Sequence, residues 1–219
     1  MISTVLFDLE GTLVDFQWKL DEAEEALRQA LVLFGFEQGL FTGANYAEIR
    51  LRALARAASP QVREDIDRRL TPIYDQYDQD ALSRWSLRGG AFELLQKLAA
   101  RGVRLALVSN IGRRAGWAVL DKFALRGWFQ LVIAREDVTQ MKPSGEGIRK
   151  ALTHFGAKPE ESLMVGDSLT DLRAAHDAGV PIALISGGET IYRDLGGELP
   201  DYRISSLSEV LDVLSPEKR

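Results

Sequence analysis

Acidic residues follow two short apolar segments that are typical of buried strands. Asp8 and Glu10 follow the first of these segments, and Asp167 and Asp171 follow another much later in the chain. Carboxylates that meet at one point raise each other's pKa unless a cation joins them. Oxygen ligands without His or Cys favour a hard ion, and Mg²⁺ binds through one or two carboxylates plus substrate phosphate. Within such a group, one carboxylate can act as a nucleophile while another transfers a proton.

Basic and polar residues follow other predicted strand ends. Lys142 supplies a positive charge that can keep a carboxylate ionised and also contact a phosphate. Ser109 and Asn110 lie at a predicted strand-to-helix turn, where hydroxyl and backbone donors can bind phosphoryl oxygens. Thr12 adds a hydroxyl close to the first acidic pair. The combination predicts a site for a small phosphorylated ligand and a divalent ion.

The elements that position these residues alternate between strands and helices after Gly89-Gly90. Near-continuous apolar strands alternating with helices predict a parallel sheet that is covered on both faces. The first strand must join this sheet, since alone it has nothing to pair with. In open parallel sheets, ligands bind beyond the carboxyl ends of the strands, which is where all the residues above are expected. The predicted strands are 5–7, 103–108, 131–134, 163–165, 182–185 and 202–204.

A helical segment interrupts the sheet after the first strand. We expect a core of residues 1–15 and 87–219 and a helical domain of residues 16–86. The helical domain contains a predicted helix that starts at Ser59-Pro60, because Ser can cap it and Pro fits its first turn. The inward face expected for this helix consists of Val62, Ile66, Leu70, Ile73 and Tyr77.

Composition excludes several classes of protein. The 219 residues include 27 Lys and Arg against 32 Asp and Glu, a net charge of −5, with 46% hydrophobic residues and no Cys. The mild acidic excess argues against a nucleic-acid partner, and no apolar run is long enough to predict a membrane span. Without Cys there is neither a disulfide framework nor a thiolate zinc site. We therefore expect a soluble, cytoplasmic protein without nucleic-acid or membrane partners.

The motifs resemble those of the haloacid dehalogenase superfamily, in its phosphatase-like branch. The matching segments are FDLEGTLVD at 7–15, VSN at 108–110, KP at 142–143 and GDSLTD at 166–171. All four of the family's motifs are present in order. The resemblance covers the core and the position of the helical segment, with little residue-level match inside that segment. It implies a Rossmann-like parallel sheet with a helical cap inserted after the first strand.

The resemblance also implies roles for the individual residues. Asp8 would be the nucleophile that forms an aspartyl-phosphate, Glu10 the acid–base residue and Lys142 the group that neutralises charge around Asp8. Thr12, Ser109 and Asn110 would bind the substrate. The cofactor would be Mg²⁺, and its implied ligands are Asp8, Glu10 through its backbone carbonyl, Asp167 and Asp171. The helical cap would exclude water and select the leaving group.

One of the implied catalytic positions departs from the family pattern. The family usually has Asp where this chain has Glu10, which keeps the acid and lengthens the side chain by one methylene. The branch favours a phosphatase for a small phosphorylated metabolite, of which phosphoglycolate is one example, in a monomer or homodimer. A phosphoglucomutase-like phosphoryl transferase and a non-catalytic phosphometabolite-binding protein are the alternatives.

Overall fold

The computed structural model describes residues 2–189 and 195–215. The chain forms two compact units, one made of Met1–Gln17 and Trp85–Arg219 and the other of Trp18–Arg84. No helix among the described residues is both long enough and apolar enough to cross a bilayer.

The first unit is built on a parallel sheet. In the described part of the chain it has six strands in the order β3-β2-β1-β4-β5-β6, and every pairing is parallel. This arrangement confirms the predicted α/β class with a Rossmann-like sheet. The strands are β1 (Thr4–Phe7), β2 (Arg104–Val108), β3 (Leu131–Ile133), β4 (Ser162–Gly166), β5 (Ile182–Ile185) and β6 (Tyr202–Ile204).

Helices cover the sheet. On one face, Leu6 packs with Ile148 and Leu172 in an apolar cluster that also includes residues of β2, β4 and β5. Val5 and Phe7, which alternate with Leu6 along β1, are fully buried too, so both faces of the central strand are covered. Outside Trp18–Arg84, the described helices are α4 (Ala91–Ala100), α5 (Arg113–Lys122), α6 (Glu146–Phe155), α7 (Leu169–Ala178) and α8 (Val210–Val213).

The second unit contains three α-helices in the described residues, α1 (Leu20–Phe34), α2 (Tyr46–Ala55) and α3 (Pro60–Arg84). The N-terminus of α3 is as expected, with the Ser59 hydroxyl accepting from the Val62 N–H at 3.3 Å. The expected inward face is partly wrong. Val62, Ile73 and Tyr77 are half-buried rather than buried. The buried residues of α3 are Ile66, Leu70, Tyr74, Asp78 and Ala81.

The buried face of α3 includes two side chains with polar contacts that an apolar pattern does not take into account. Trp18 Nε1 donates to Asp78 Oδ1 at 3.2 Å, and the Tyr74 hydroxyl donates to the backbone oxygen of Tyr46 at 2.7 Å. These partners satisfy the polar atoms of two side chains that a hydrophobic pattern would assign to the surface.

Hydrogen bonds tie the two connecting segments to the sheet-containing unit. Val14 and Leu87 form an antiparallel bridge, and Asp15 and Ser86 exchange two hydrogen bonds. The units accordingly divide at Gln17/Trp18 and at Arg84/Trp85, two residues inside the expected boundaries.

Candidate active site

Two acidic residues meet because their strands are neighbours. β1 and β4 pair with Phe7 opposite Val165, and the Asp8 N–H donates to the Val165 oxygen at 2.9 Å. Asp8 therefore follows β1 beside the point where Asp167 follows β4. In the strand order 3-2-1-4-5-6 this is the position where the chain order reverses, which is where open α/β sheets bind ligands.

Three carboxylates form a buried cluster at this position. One oxygen each of Asp8, Asp167 and Asp171 lies within 4.8 Å of the other two. Lys142 enters the cluster and donates from Nζ to Asp8 Oδ1 at 2.6 Å and to Asp171 Oδ1 at 2.5 Å. All four side chains are buried. The structure thus brings together the predicted nucleophile, the predicted lysine and the two aspartates of the last motif.

Burial first, and then the neighbouring charges, shift the pKa values of the groups in this cluster. Burial raises the pKa of Asp8 to about 6, with Lys142 lowering it and Asp171 raising it. Burial likewise raises the pKa of Asp167, and the charges of Asp171 and Asp8 add to the rise. Burial lowers the pKa of Lys142, but the Asp171 and Asp8 carboxylates outweigh that effect, so its pKa is raised and it stays charged.

Asp167 sits in a close-fitting cradle of glycine backbone. A Cβ atom at Gly11 would lie 2.1 Å from Asp167 Oδ2, and one at Gly188 would lie 2.0 Å from the same atom. Asp167 Oδ1 accepts from the Thr12 hydroxyl at 3.0 Å, and Oδ2 accepts from the Glu189 N–H at 2.5 Å. Thr12 therefore orients Asp167 in this structure, and its contact with substrate stays a prediction.

Asp171 is held by the N-terminal turn of α7. Its Oδ2 accepts from the Ser168 hydroxyl at 2.6 Å and from the backbone N–H groups of Ser168 and Asp167 at 3.1 and 3.3 Å. The Ser168 hydroxyl in turn caps the helix by accepting from the Asp171 N–H. With Oδ1 bound to Lys142, this carboxylate fixes both the lysine and the loop that carries Asp167.

The residues after β2 reach the same edge of the sheet, because β2 pairs in parallel with β1 on the side of β1 opposite β4. The Ser109 N–H donates to the Ile133 oxygen at 3.0 Å, which extends the strand pairing to the site. Asn110 brackets the backbone of Lys142: Oδ1 accepts from the Lys142 N–H at 2.9 Å and Nδ2 donates to the Lys142 oxygen at 3.0 Å. The Asn110 side chain thus places the lysine, and phosphoryl binding by Ser109 and Asn110 stays a prediction.

Glu10 makes a different set of contacts. Its Oε1 accepts from the Gln17 N–H at 2.8 Å and from Trp85 Nε1 at 2.9 Å. Among the described residues, the group of mutually close carboxylates does not include Glu10. Metal binding by its backbone oxygen and acid–base work by its side chain stay predictions.

Sequence reasoning missed Arg88, Trp85 and Glu189. Arg88 Nη2 donates to the Ser186 oxygen at 2.6 Å and Nη1 to the Gly11 oxygen, so one guanidinium joins the loops after β5 and β1. Trp85 and Arg88 come before the predicted alternation of strands and helices, and Glu189 follows the predicted strand 182–185 but matches no family motif. The Gly187-Gly188 pair just before Glu189 was the nearest visible clue.

The residues present suit a divalent cation. Burial raises the pKa of Asp8 and Asp167. Three buried carboxylates lie together, and Lys142 contacts two of them, Asp8 and Asp171, so the ionised group needs further positive charge as compensation. A hard cation with oxygen ligands supplies that compensation. The glycine cradle leaves no room for a Cβ atom at Gly11 or Gly188 beside the Asp167 carboxylate.

Comparisons with known proteins agree with this site. A family model described as haloacid dehalogenase-like hydrolase matches residues 2–179. The phosphoglycolate phosphatase of Nitrosococcus oceani is 29% identical, with 96% of each chain covered. Pyrophosphatase PpaX of Bacillus cereus is 28% identical, with 100% of this chain and 99% of the relative covered. These relatives confirm the predicted phosphatase class of hydrolase.

A solved structure is similar to this chain over most of its length. CbbY from Rhodobacter sphaeroides, in complex with xylulose-(1,5)bisphosphate, is 26% identical with a TM-score of 0.63, and 95% of this chain and 96% of that chain are covered. The motif resemblance, the fold and the family match over most of the chain agree with one another. The chain therefore belongs to the haloacid dehalogenase-like hydrolases.

Proposed function

We propose that this protein is a Mg²⁺-dependent phosphatase that hydrolyses a small phosphate monoester through an aspartyl-phosphate on Asp8. The observation that carries the proposal is the buried cluster in which Lys142 contacts Asp8 and Asp171 beside Asp167. The Asp8 carboxylate lies next to the Lys142 ammonium group and two further carboxylates. This arrangement suits attack on a phosphorus atom better than it suits a structural role.

In the first half-reaction, an oxygen of Asp8 attacks the phosphorus and the P–O bond to the leaving alcohol breaks. Glu10 donates a proton to the departing oxygen, so the alcohol leaves neutral. Lys142 keeps Asp8 ionised before the attack and stabilises the charge that shifts onto the phosphoryl oxygens.

In the second half-reaction, water attacks the phosphorus of the aspartyl-phosphate. The Glu10 carboxylate, left ionised by the first step, accepts a proton from that water. The acyl-phosphate P–O bond breaks, which regenerates Asp8 and releases inorganic phosphate. The cycle therefore balances with one water consumed per ester.

A divalent cation, when bound, supplies positive charge that offsets the acidic cluster and the phosphate oxygens. Asp8, Asp167 and the Glu10 backbone oxygen are the groups that we assign to hold it, with Asp171 supporting them. Its identity as Mg²⁺ is part of the proposal, which the all-oxygen donor set supports.

We assign the helical unit Trp18–Arg84 as the cap that selects the leaving group. Its place in the chain, inserted between β1 and β2, supports this assignment. The names of the relatives make phosphoglycolate the first substrate to test and pyrophosphate the second. A cytoplasmic monomer or homodimer completes the proposal.

A panel of phosphate esters tests the function. The wild-type protein is assayed for phosphate release from phosphoglycolate, pyrophosphate, hexose 1-phosphates and p-nitrophenyl phosphate, with Mg²⁺ and with EDTA. We expect Mg²⁺-dependent release that Asp8→Asn abolishes and Asp121→Asn, an exposed carboxylate in α5, preserves. Hexose 6-phosphate formation without phosphate release, or ligand binding without turnover across the panel, would contradict the proposal.

A further inference from the structure

Glu10 is held by an indole that no motif of the chain includes. Trp85 lies 75 positions away in sequence, and its Nε1 donates to Glu10 Oε1 at 2.9 Å. The same oxygen accepts from the Gln17 N–H at 2.8 Å. Trp85 is only 2% exposed, so its indole has little freedom to turn away from the carboxylate. Two donors thus converge on one oxygen of a half-buried carboxylate.

The backbone that carries the indole is held independently of Glu10. Lys122 Nζ donates to the Trp85 backbone oxygen at 2.9 Å. The adjacent Ser86 accepts from the Asp15 N–H at 3.0 Å, and its own N–H donates to Asp15 Oδ1 at 2.6 Å. The segment that carries Trp85 is therefore anchored to α5 and to the segment after β1.

Asp15 organises both of the donors that reach Glu10. Its Oδ1 accepts from Ser86, the neighbour of Trp85, and its Oδ2 accepts from Gln17 Nε2 at 2.7 Å. One carboxylate thus holds the segment with the indole and the segment with the Gln17 N–H in fixed relation. A preorganised pair of donors orients an acceptor without a further entropic cost at the moment of reaction.

We propose that Trp85 is a positioning residue that fixes the Glu10 carboxylate for proton transfer to the leaving group. Glutamate has one more rotatable bond than aspartate, so it needs an added restraint to hold its carboxyl group in one place. Misplacement of a reacting group by about 1 Å can cost about 100-fold in rate. The inference rests on the proposed function, because it takes Glu10 as the acid–base residue.

Leaving-group dependence separates positioning from a merely structural role. p-Nitrophenolate departs readily without protonation, whereas an alkoxide needs a proton from Glu10. We expect Trp85→Phe to lower kcat/KM, which covers the steps up to aspartyl-phosphate formation, about tenfold or more for the alkyl phosphate that the wild type hydrolyses fastest. The kcat/KM for p-nitrophenyl phosphate should stay within about threefold, because the nucleophile is untouched and this leaving group needs no proton, whereas any slowing of the water attack that also uses Glu10 lowers kcat for both esters alike. Trp128→Phe, the same change in the same unit, should leave both values within about twofold.

A double-mutant cycle tests whether the effect passes through Glu10. In the Glu10→Gln background, Trp85→Phe should change the alkyl-ester rate by less than about twofold, since the proton donor is already absent. Equal loss of kcat/KM on both esters, a loss that multiplies with Glu10→Gln, or a faster Trp85→Phe enzyme would overturn the inference. If the wild type hydrolyses no ester, the proposed function fails instead.

The contact itself has a readout that does not depend on activity. The four tryptophans give four indole N–H signals in a proton–nitrogen NMR spectrum, and the signal lost in Trp85→Phe identifies Trp85. Glu10→Ala should move this signal upfield and leave the Trp128 signal in place, because only the Trp85 indole loses a carboxylate acceptor. An unchanged Trp85 signal would overturn the inference whatever the protein catalyses.

Discussion

The Nζ atom of Lys142 lies 2.6 Å from Oδ1 of Asp8, and both residues are buried. Because Nζ also lies 2.5 Å from Asp171 Oδ1, this lysine is a shared counter-ion for two carboxylates. A buried pair of this kind is costly to break, since removal of one partner leaves an uncompensated charge inside the protein.

Replacement of the lysine tests its role as the shared counter-ion. We expect Lys142→Met to lower the free energy of unfolding by about 3–5 kcal/mol, because Asp8 and Asp171 stay buried without a cation. Lys97→Met, at an exposed position of α4, should change it by less than about 0.5 kcal/mol. Urea unfolding at neutral pH measures both. Equal transition midpoints for Lys142→Met and the wild type would show that the contact adds nothing to stability.

The glycine cradle predicts a steric effect on metal binding. A Cβ atom at Gly188 would lie 2.0 Å from Asp167 Oδ2, so Gly188→Ala must displace the carboxylate. Disturbed support of a metal ligand typically costs about 10- to 100-fold in metal affinity, and we expect that loss for Mg²⁺ in a calorimetric titration. Gly127→Ala, where nothing lies within 4 Å of the added atom, is the matched control. Wild-type Mg²⁺ affinity in Gly188→Ala would remove Asp167 from the metal site.

The raised pKa of Asp8 predicts an unusual pH dependence in the metal-free protein. Burial raises this pKa from 3.8 to about 6, so between these values the folded protein binds more protons than the unfolded chain. Stability from this group is therefore present below pH 3.8 and is lost as the pH rises through about 6. We expect the free energy of unfolding, measured in EDTA, to fall by about 1–3 kcal/mol relative to Asp8→Asn across this window.

The comparison with Asp8→Asn cancels the carboxylates that lie away from the cluster, while Asp167, whose pKa the charge of Asp8 helps to raise, changes together with Asp8. Carboxyl groups whose pKa is lowered in the folded protein change its stability in the opposite sense, at lower pH. Asp177, which accepts from the Gly145 N–H and from Arg149, is one of these groups. If the two proteins keep a constant difference in stability from pH 4 to 7, Asp8 does not titrate in the folded state as described.

How much of this site was visible in the sequence depends on the kind of contact. Asp8, Asp167 and Lys142 were predictable because adjacent strands deliver their following residues to one edge, whatever the details of packing. The direction in which each side chain points was not predictable in this way. Asn110 carries the right residue type for phosphoryl binding, yet its amide is used on the backbone of Lys142, 32 positions away.

Contacts between residues that are far apart in sequence were also not predictable from the sequence. Glu10 and Trp85 are joined only because the chain returns to the sheet-containing unit after Arg84. In α3, the buried position of Asp78 depends on the indole of Trp18, and a hydrophobic pattern places an aspartate outside. In each case a polar partner that is distant in sequence decides which way a side chain points.

Chemical trapping of the phosphorylated enzyme tests the central claim most directly. The wild-type protein is mixed with Mg²⁺ and its best phosphate ester, quenched in acid during turnover, and reduced with borohydride, which converts an aspartyl-phosphate to homoserine. Peptide mass spectrometry should find homoserine in place of Asp8 and at no other aspartate. Turnover without homoserine at Asp8, or homoserine at Asp167 or Asp171 instead, would contradict the account.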